Sequence, residues 1–454
     1  MSGFPRAALG SLGNRPAPSA MAWALAGYLT RRGIGVRHFH SQACYCAPEG
    51  ALAATGSRSR HLDSWLMSRE LCRSLLAEAY AAADFVLVEG RFANARPSEA
   101  QDAPNSSAQL DALCRVLDLP RLIVLDAALT VDCRIPPRPD AVDGVLIDGV
   151  LSFADYVRIQ TCVEGAWGVP VVGGLERREP IRQLLASLPA GAEVPKAVCE
   201  ELANSFGKFV DQRALDAACD RASYPIVQRI AEARAAAPAR RPVIALAYDA
   251  AFCGYFPDVI EILERRGARV VNFSPLTDES LPDQTESVLL GCGRTDLFAE
   301  QLAANFCMLS AVHDFARRGG RIYSEGGGTA YLSRSLRSVD GHDYSMANVL
   351  PLAASRKSEP CAPEPIEFQV DAESWILPRH TTMRGYRSRV WNFKPQESVE
   401  ELTHDVDGAL LFQAGAVVGG PLQLHLAAVE PAMLALGEPQ QQLAAHYVGI
   451  DWPT

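Results

Sequence analysis

Apolar positions in this chain gather into short continuous runs separated by stretches of helical period. In the first half the runs are DFVLVEG (Asp84–Gly90), RLIVLDA (Arg121–Ala127), DGVLIDGVLS (Asp143–Ser152) and GVPVVGGL (Gly168–Leu175). Strands that are apolar on both sides suit a parallel sheet covered by helices on both faces. A helix is predicted over Ser19–Arg32, stopped by a glycine turn at Gly33. SEAQDAPNSS (Ser98–Ser107) reads as a surface loop. A long helical stretch ends near Ala235, and AAAPARRP (Ala235–Pro242) reads as a linker.

Beyond that linker a second series begins: PVIALAYDA, ARVVNFSPL, SVLLGCGR and GRIYSEGGG, each expected to lead into a helix. SRKSEPCAPEP (Ser355–Pro365) is Pro-rich and reads as a loop. ALLFQAGAVVGGPLQLHLAAVEP (Ala409–Pro431) is expected to form two short strands and then a helix. The pattern predicts two α/β domains, 1–236 and 243–454, joined by a linker at 237–242, with an open, doubly wound sheet in each.

A length of 454 residues is comfortable for two such domains. The net charge of -10, without a basic stripe, argues against nucleic acid as a partner. No apolar run is long enough to span a bilayer, so no membrane association is expected. MSGFPRAALGSLG lacks a basic region followed by a sustained apolar core, which makes the cytoplasm the expected compartment. The twelve cysteines are scattered and include no C-x-x-C pair. They read mostly as small buried hydrophobes. The one alternative is a metal site at Cys44 and Cys46, with His38 and His40 nearby.

The segment RIYSEGGGTAYL (Arg321–Leu332) is the most informative. A strand enters a tight glycine turn and a helix leaves it, which resembles the nucleophile elbow of a glutamine amidotransferase. The turn position that holds cysteine in an active elbow is Gly326. Four further segments, in order, resemble the cobyrinic acid a,c-diamide synthase family. They are HLDSWLM (His61–Met67), VEGRF (Val88–Phe92), the run Val243–Asp283 with D-A-A-F-C at Asp249–Cys253, and GCGRTDLFAEQLAAN (Gly291–Asn305).

That resemblance implies a P-loop, dethiobiotin-synthetase-like amide synthase domain followed by a flavodoxin-like class I glutamine amidotransferase domain. The first would use ATP and Mg²⁺ to activate tetrapyrrole side-chain carboxylates. The second would release ammonia from glutamine with a Cys-His pair. Carried onto this sequence, the phosphate loop falls on GNRPAPSA (Gly13–Ala20), with Pro18 in the lysine slot and Ser19 after it. Pro16 and Pro18 lack backbone donors and have a fixed φ, which is poor material for a phosphate nest. Arg15 brings charge without restoring that geometry. In the next family element His40 stands for a lysine, and Cys44 stands for the acid that helps hold metal and nucleotide. Asp63 and Glu89 are retained as cofactor-binding candidates. Glu89 reads either as a Mg²⁺-facing carboxylate or as a residual strand-end acid.

In the second domain the base slot falls on Gln423, and only the second histidine survives, as His425. A neutral amide is no general base near pH 7. Cys292 lies on the oxyanion-hole turn rather than the nucleophile turn. Trp391 and Phe393, in YRSRVWNFKP (Tyr386–Pro395), are either core residues or a ring-stacking surface.

The joint losses predict a catalytically degenerate homologue. It would bind a tetrapyrrole or another carboxylate-rich ligand, or regulate or scaffold an active paralogue or tetrapyrrole-pathway enzyme. Two alternatives stay open: ATP-dependent amidation by unconventional residues, and an unrelated activity of the Cys/His loop at 38–46.

Overall fold

The structure, a computed structural model, describes residues 5–12, 19–44, 48–93, 109–133, 135–188, 191–220, 241–357, 363–405 and 408–437. The chain divides into two compact units, the first within 1–231 apart from 44–46, the second comprising 44–46 and 232–454. The linker expected at 237–242 lies for the most part outside the described residues, as do Pro16, Pro18 and the loop at 98–107.

The first unit is a seven-stranded sheet: β1 (Arg6–Leu12), β2 (Val36–His40), β3 (Arg60–His61), β4 (Phe85–Phe92), β5 (Arg121–Asp126), β6 (Gly144–Val150) and β7 (Val171–Glu176). Its spatial order is β3-β2-β4-β1-β5-β6-β7 and every pairing is parallel. The continuous apolar runs are the cause, since six of the eight residues of β4 are buried in one unbroken stretch. Helix Ser19–Arg31 crosses from β1 to β2 and buries Met21, Trp23, Leu25 and Leu29. A Cβ at Gly27 would lie 3.1 Å from that of Ala203, so glycine permits the close approach of helix Lys196–Gly207. Gly33 ends the crossover helix with φ of +80°.

The second unit has its own seven-stranded sheet. The first strands of this unit are β8 (Val243–Ala247), β9 (Phe252–Gly254), β10 (Arg269–Phe273), β11 (Thr285–Leu290), β12 (Cys292–Gly293) and β13 (Arg321–Glu325). The sheet runs β10-β8-β11-β13, then Val417–Gly420, Gly408–Ala414 and Glu400–Asp405. Pairings are parallel as far as Val417–Gly420 and antiparallel beyond it. Both sheets therefore have the doubly wound α/β character expected of them.

Of the stretch read as helical up to Ala235, the described residues hold helices at Glu179–Ser187, Lys196–Gly207 and Gln212–Cys219, and 221–235 lie outside them. Three local expectations need correction. β9 and β12 intervene between sheet strands and the next helices, and they pair with each other in antiparallel fashion. Leu350–Arg356 and Glu364–Gln369 are strands that enter the segment read as a Pro-rich loop, of which 358–362 lie outside the described residues. After Gly408–Ala414 and Val417–Gly420 comes a third strand, Leu422–Gln423, held by pairing to Arg387 and Tyr386. That last strand is two residues long, too short for local alternation to reveal it.

Candidate functional site

In the second unit the site is built around the turn after β13. All five residues of β13 are buried, and the chain reverses at Gly326 with φ 49° and ψ −108° before helix Gly327–Leu332. The Gly326 N–H donates to Gly420 O at 2.8 Å, tying the turn to the neighbouring strand. A side chain here would be strained by the positive φ. A Cβ would also lie 3.2 Å from Trp391 Cδ1, 3.3 Å from Trp391 Nε1 and 3.6 Å from Cys292 Sγ. Trp391 is buried. It stacks on Phe393 with centroids 6.2 Å apart, and the Arg356 guanidinium sits 5.9 Å from its ring centre. Of the two readings of Trp391, its burial selects a core residue.

The thiol of Cys292 belongs to this site, although its turn is distinct from the elbow. Gln423 Nε2 donates to Cys292 Sγ at 3.0 Å, and the thiol lies 3.7 Å from Glu325 Oε2 as a donor. The base-slot residue and a cysteine therefore do meet, but as an amide and a thiol. Burial, followed by the Glu325 carboxylate, pushes the Cys292 pKa well above its ordinary value. Such a thiol is held protonated and is a poor nucleophile.

Glu325, not singled out in the sequence, is the hub of this cluster. Its Oε1 accepts from Tyr323 OH at 2.7 Å and from the Leu424 N–H at 2.9 Å. Burial raises its pKa from 4.5 to about 7, against the lowering effect of the Leu424 and Tyr323 donors. Glu325 and Tyr323 are i and i+2 in β13, so they share one face of the strand. That alternation was the available signal. They border an apolar pocket of about 40 Å³ lined also by Leu246, Phe256, Leu290 and Leu424. His425 Nε2 pairs with Asp258 Oδ2 at 2.7 Å, both groups buried, with the Phe256 ring 4.9 Å away.

In the first unit the candidates converge on Glu89. In the strand register His40 of β2 lies opposite Glu89 of β4. His38 and His40 are two residues apart and so share a face of β2. His38 Nε2 is 3.0 Å from Glu89 Oε2, and His40 Nδ1 is 3.6 Å from Glu89 Oε1. The Ser19 hydroxyl, at the start of its helix, donates to Glu89 Oε1. Burial works to raise the Glu89 pKa, but His40 and His38 outweigh it and hold the carboxyl below the usual carboxylate range.

Asp63 is buried and takes a different part. Oδ2 accepts from the Ala43 N–H at 2.8 Å, and Oδ1 accepts from those of Trp65 and Leu66 at 2.8 and 3.2 Å. Two stretches of loop are pinned by this one carboxylate. Among the described residues, the only group of three or more His, Cys, Asp or Glu placed to hold a metal ion is His38, His40 and Glu89. Cys44 is not part of that group. Its Sγ does not lie with those three donor atoms. Cys46 and Pro18 lie outside the described residues.

Residues 243–405 match the family profile of the CobB/CobQ-like glutamine amidotransferase domain. A cobyrinate a,c-diamide synthase of Syntrophotalea carbinolica is 30% identical over 365 residues, covering 77% of this chain and 78% of that protein. A hydrogenobyrinate a,c-diamide synthase of Rhodobacter capsulatus is 31% identical over 344 residues, covering 72% and 76%. A cobyrinate a,c-diamide synthase of Salmonella typhimurium is 28% identical over 335 residues, covering 71% and 72%.

Proposed function

Because this chain belongs to the cobyrinate a,c-diamide synthase family, we propose that it is a catalytically degenerate homologue working in corrinoid or other tetrapyrrole metabolism. In this reading it binds a carboxylate-rich macrocycle, or regulates or scaffolds an active partner, without hydrolysing glutamine. The relatives' names supply the ligand class. The observation that carries the loss of glutaminase activity is Gly326, at the turn where an elbow presents its nucleophile.

Glutamine hydrolysis by this kind of site needs a thiolate to attack the amide carbonyl and a base to take the thiol proton. Gly326 offers no attacking atom. Gln423 donates its amide N–H to Cys292 instead of accepting a proton from it. Cys292 is the thiol beside the turn among the described residues, and burial keeps its proton in place. Without thiolate attack no thioester forms and no ammonia is released. The prolines at 16 and 18 support a parallel loss of normal ATP binding in the first domain.

The test is a pair of measurements on the purified full chain. Glutamate release from glutamine should stay at the background of a heat-inactivated control, while titration with cobyrinic acid should change the corrinoid's visible spectrum saturably. Turnover of glutamine that disappears in Cys292→Ser would overturn the degenerate reading. An absence of any spectral change would overturn the tetrapyrrole reading.

A further inference from the structure

The cluster at the ends of β2 and β4 is not explained by a degenerate amide synthase. A leftover Mg²⁺-nucleotide site would present oxygen ligands, because Mg²⁺ is a hard ion that favours carboxylate, hydroxyl and phosphate oxygen. Here one carboxylate, Glu89, is flanked by two imidazoles, and the three donor atoms lie within 4.8 Å of one another. We propose that His38, His40 and Glu89 form a binding site for a divalent transition-metal ion of the zinc class, with two nitrogen ligands and one oxygen ligand.

The spacing suits such an ion. Ligands bonded to zinc at roughly 2.0–2.1 Å sit about 3.3–3.5 Å from one another in a tetrahedron. The separations of 3.0 Å from His38 Nε2 to Glu89 Oε2 and 3.6 Å from His40 Nδ1 to Glu89 Oε1 bracket that range. Two imidazoles with one carboxylate select borderline ions such as zinc, iron or cobalt over magnesium.

The groups behind His38 point the same way. Glu49 Oε1 accepts the backbone N–H groups of Ala51 at 2.7 Å and Leu52 at 3.3 Å, and also the Ser59 hydroxyl at 3.1 Å. With its proton directed to Glu49, Ser59 Oγ turns a lone pair to His38 Nδ1, 2.9 Å away. Nδ1 then carries a ring proton, which leaves Nε2, 3.0 Å from Glu89 Oε2, as the nitrogen available to a metal ion. The His38–Ser59–Glu49 relay is the outer shell that fixes a ligating histidine's tautomer. The Ser19 hydroxyl on Glu89 plays the equivalent part for the carboxylate.

The full chain, stripped with a chelator and dialysed, is titrated with ZnCl₂ by calorimetry in millimolar MgCl₂. Bound metal is counted by mass spectrometry, and Co²⁺ is used in parallel for its visible absorption. One equivalent of zinc is expected, undisplaced by magnesium. His40→Gln should weaken zinc binding at least tenfold and abolish the cobalt bands. Its side chain is 21% exposed, so this variant is the one expected to fold, which circular dichroism checks. Ser59→Ala should weaken zinc binding by about tenfold, as the loss of an outer-shell partner does. Failure of the wild-type chain to take up zinc would leave a plain imidazolium–carboxylate pair and overturn the proposal. Undiminished binding in folded His40→Gln, or loss of binding in Cys44→Ser, would overturn it in favour of other ligands.

Discussion

Trp391 rests against the α-carbon of Gly326, so that the first side-chain atom added at the turn would come within 3.2 Å of the indole. The indole is itself held between Phe393 and the Arg356 guanidinium, which is bonded to Asp296 at 3.3 Å. A side chain at this turn would therefore press on the indole.

Gly326→Cys should therefore lower stability and still fail to release glutamate. Forcing a non-glycine residue into this backbone conformation costs about 1–3 kcal/mol, and Trp391 must also give way. Urea unfolding of the variant measures the cost. Glutamate release by the single variant would show that the indole and Gln423 do not block the reaction.

Cys292 should be inert. Native protein treated with iodoacetamide at pH 8 should be modified at the exposed Cys307 well before Cys292. Peptide mapping distinguishes the two. Equal rates would contradict a buried, protonated thiol.

Glu325 should make stability fall as pH rises. Its folded pKa, about 7, lies above the ordinary value of 4.5, so the folded state holds a proton that the unfolded chain has lost. The contribution is fully present below about pH 4.5 and is lost as pH rises through 7. A shift of this size corresponds to about 3 kcal/mol. Compared with Glu325→Gln, the wild-type chain should lose an amount of that order between pH 5 and pH 8 in denaturant titrations. A constant difference across that range would rule this out.

The His425–Asp258 pair should matter for folding alone. Removing one partner of a buried, hydrogen-bonded pair costs on the order of 3 kcal/mol. His425→Ala and Asp258→Ala should each destabilise by about that much, and the double variant by much less than their sum. Additive losses would mean that the two groups act independently, despite the 2.7 Å contact.

The sheet strands were legible because burial on both faces leaves a local mark. The run from Phe85 to Gly90 is apolar enough to announce a central parallel strand without any partner in view. The turn at Gly326 was equally legible, since it is read from its place between a strand and a helix. The two-residue strand at Leu422–Gln423 was not, and neither were β9 and β12, because segments this short have no period to detect.

What the sequence determined by itself is the class of fold and the family to which the chain belongs. Each depends on neighbours along the chain. The tertiary structure alone decided which side chains meet. Gln423 reaches Cys292 across 131 positions, and His38 reaches Glu89 across 51. Strand pairing makes those meetings, and register is set by the packing of whole sheets rather than by any local pattern. Cys292, which the sequence assigns to a separate turn, sits beside Gly326 for that reason. For the same reason two histidines and a glutamate that look unrelated in the sequence converge on a single point.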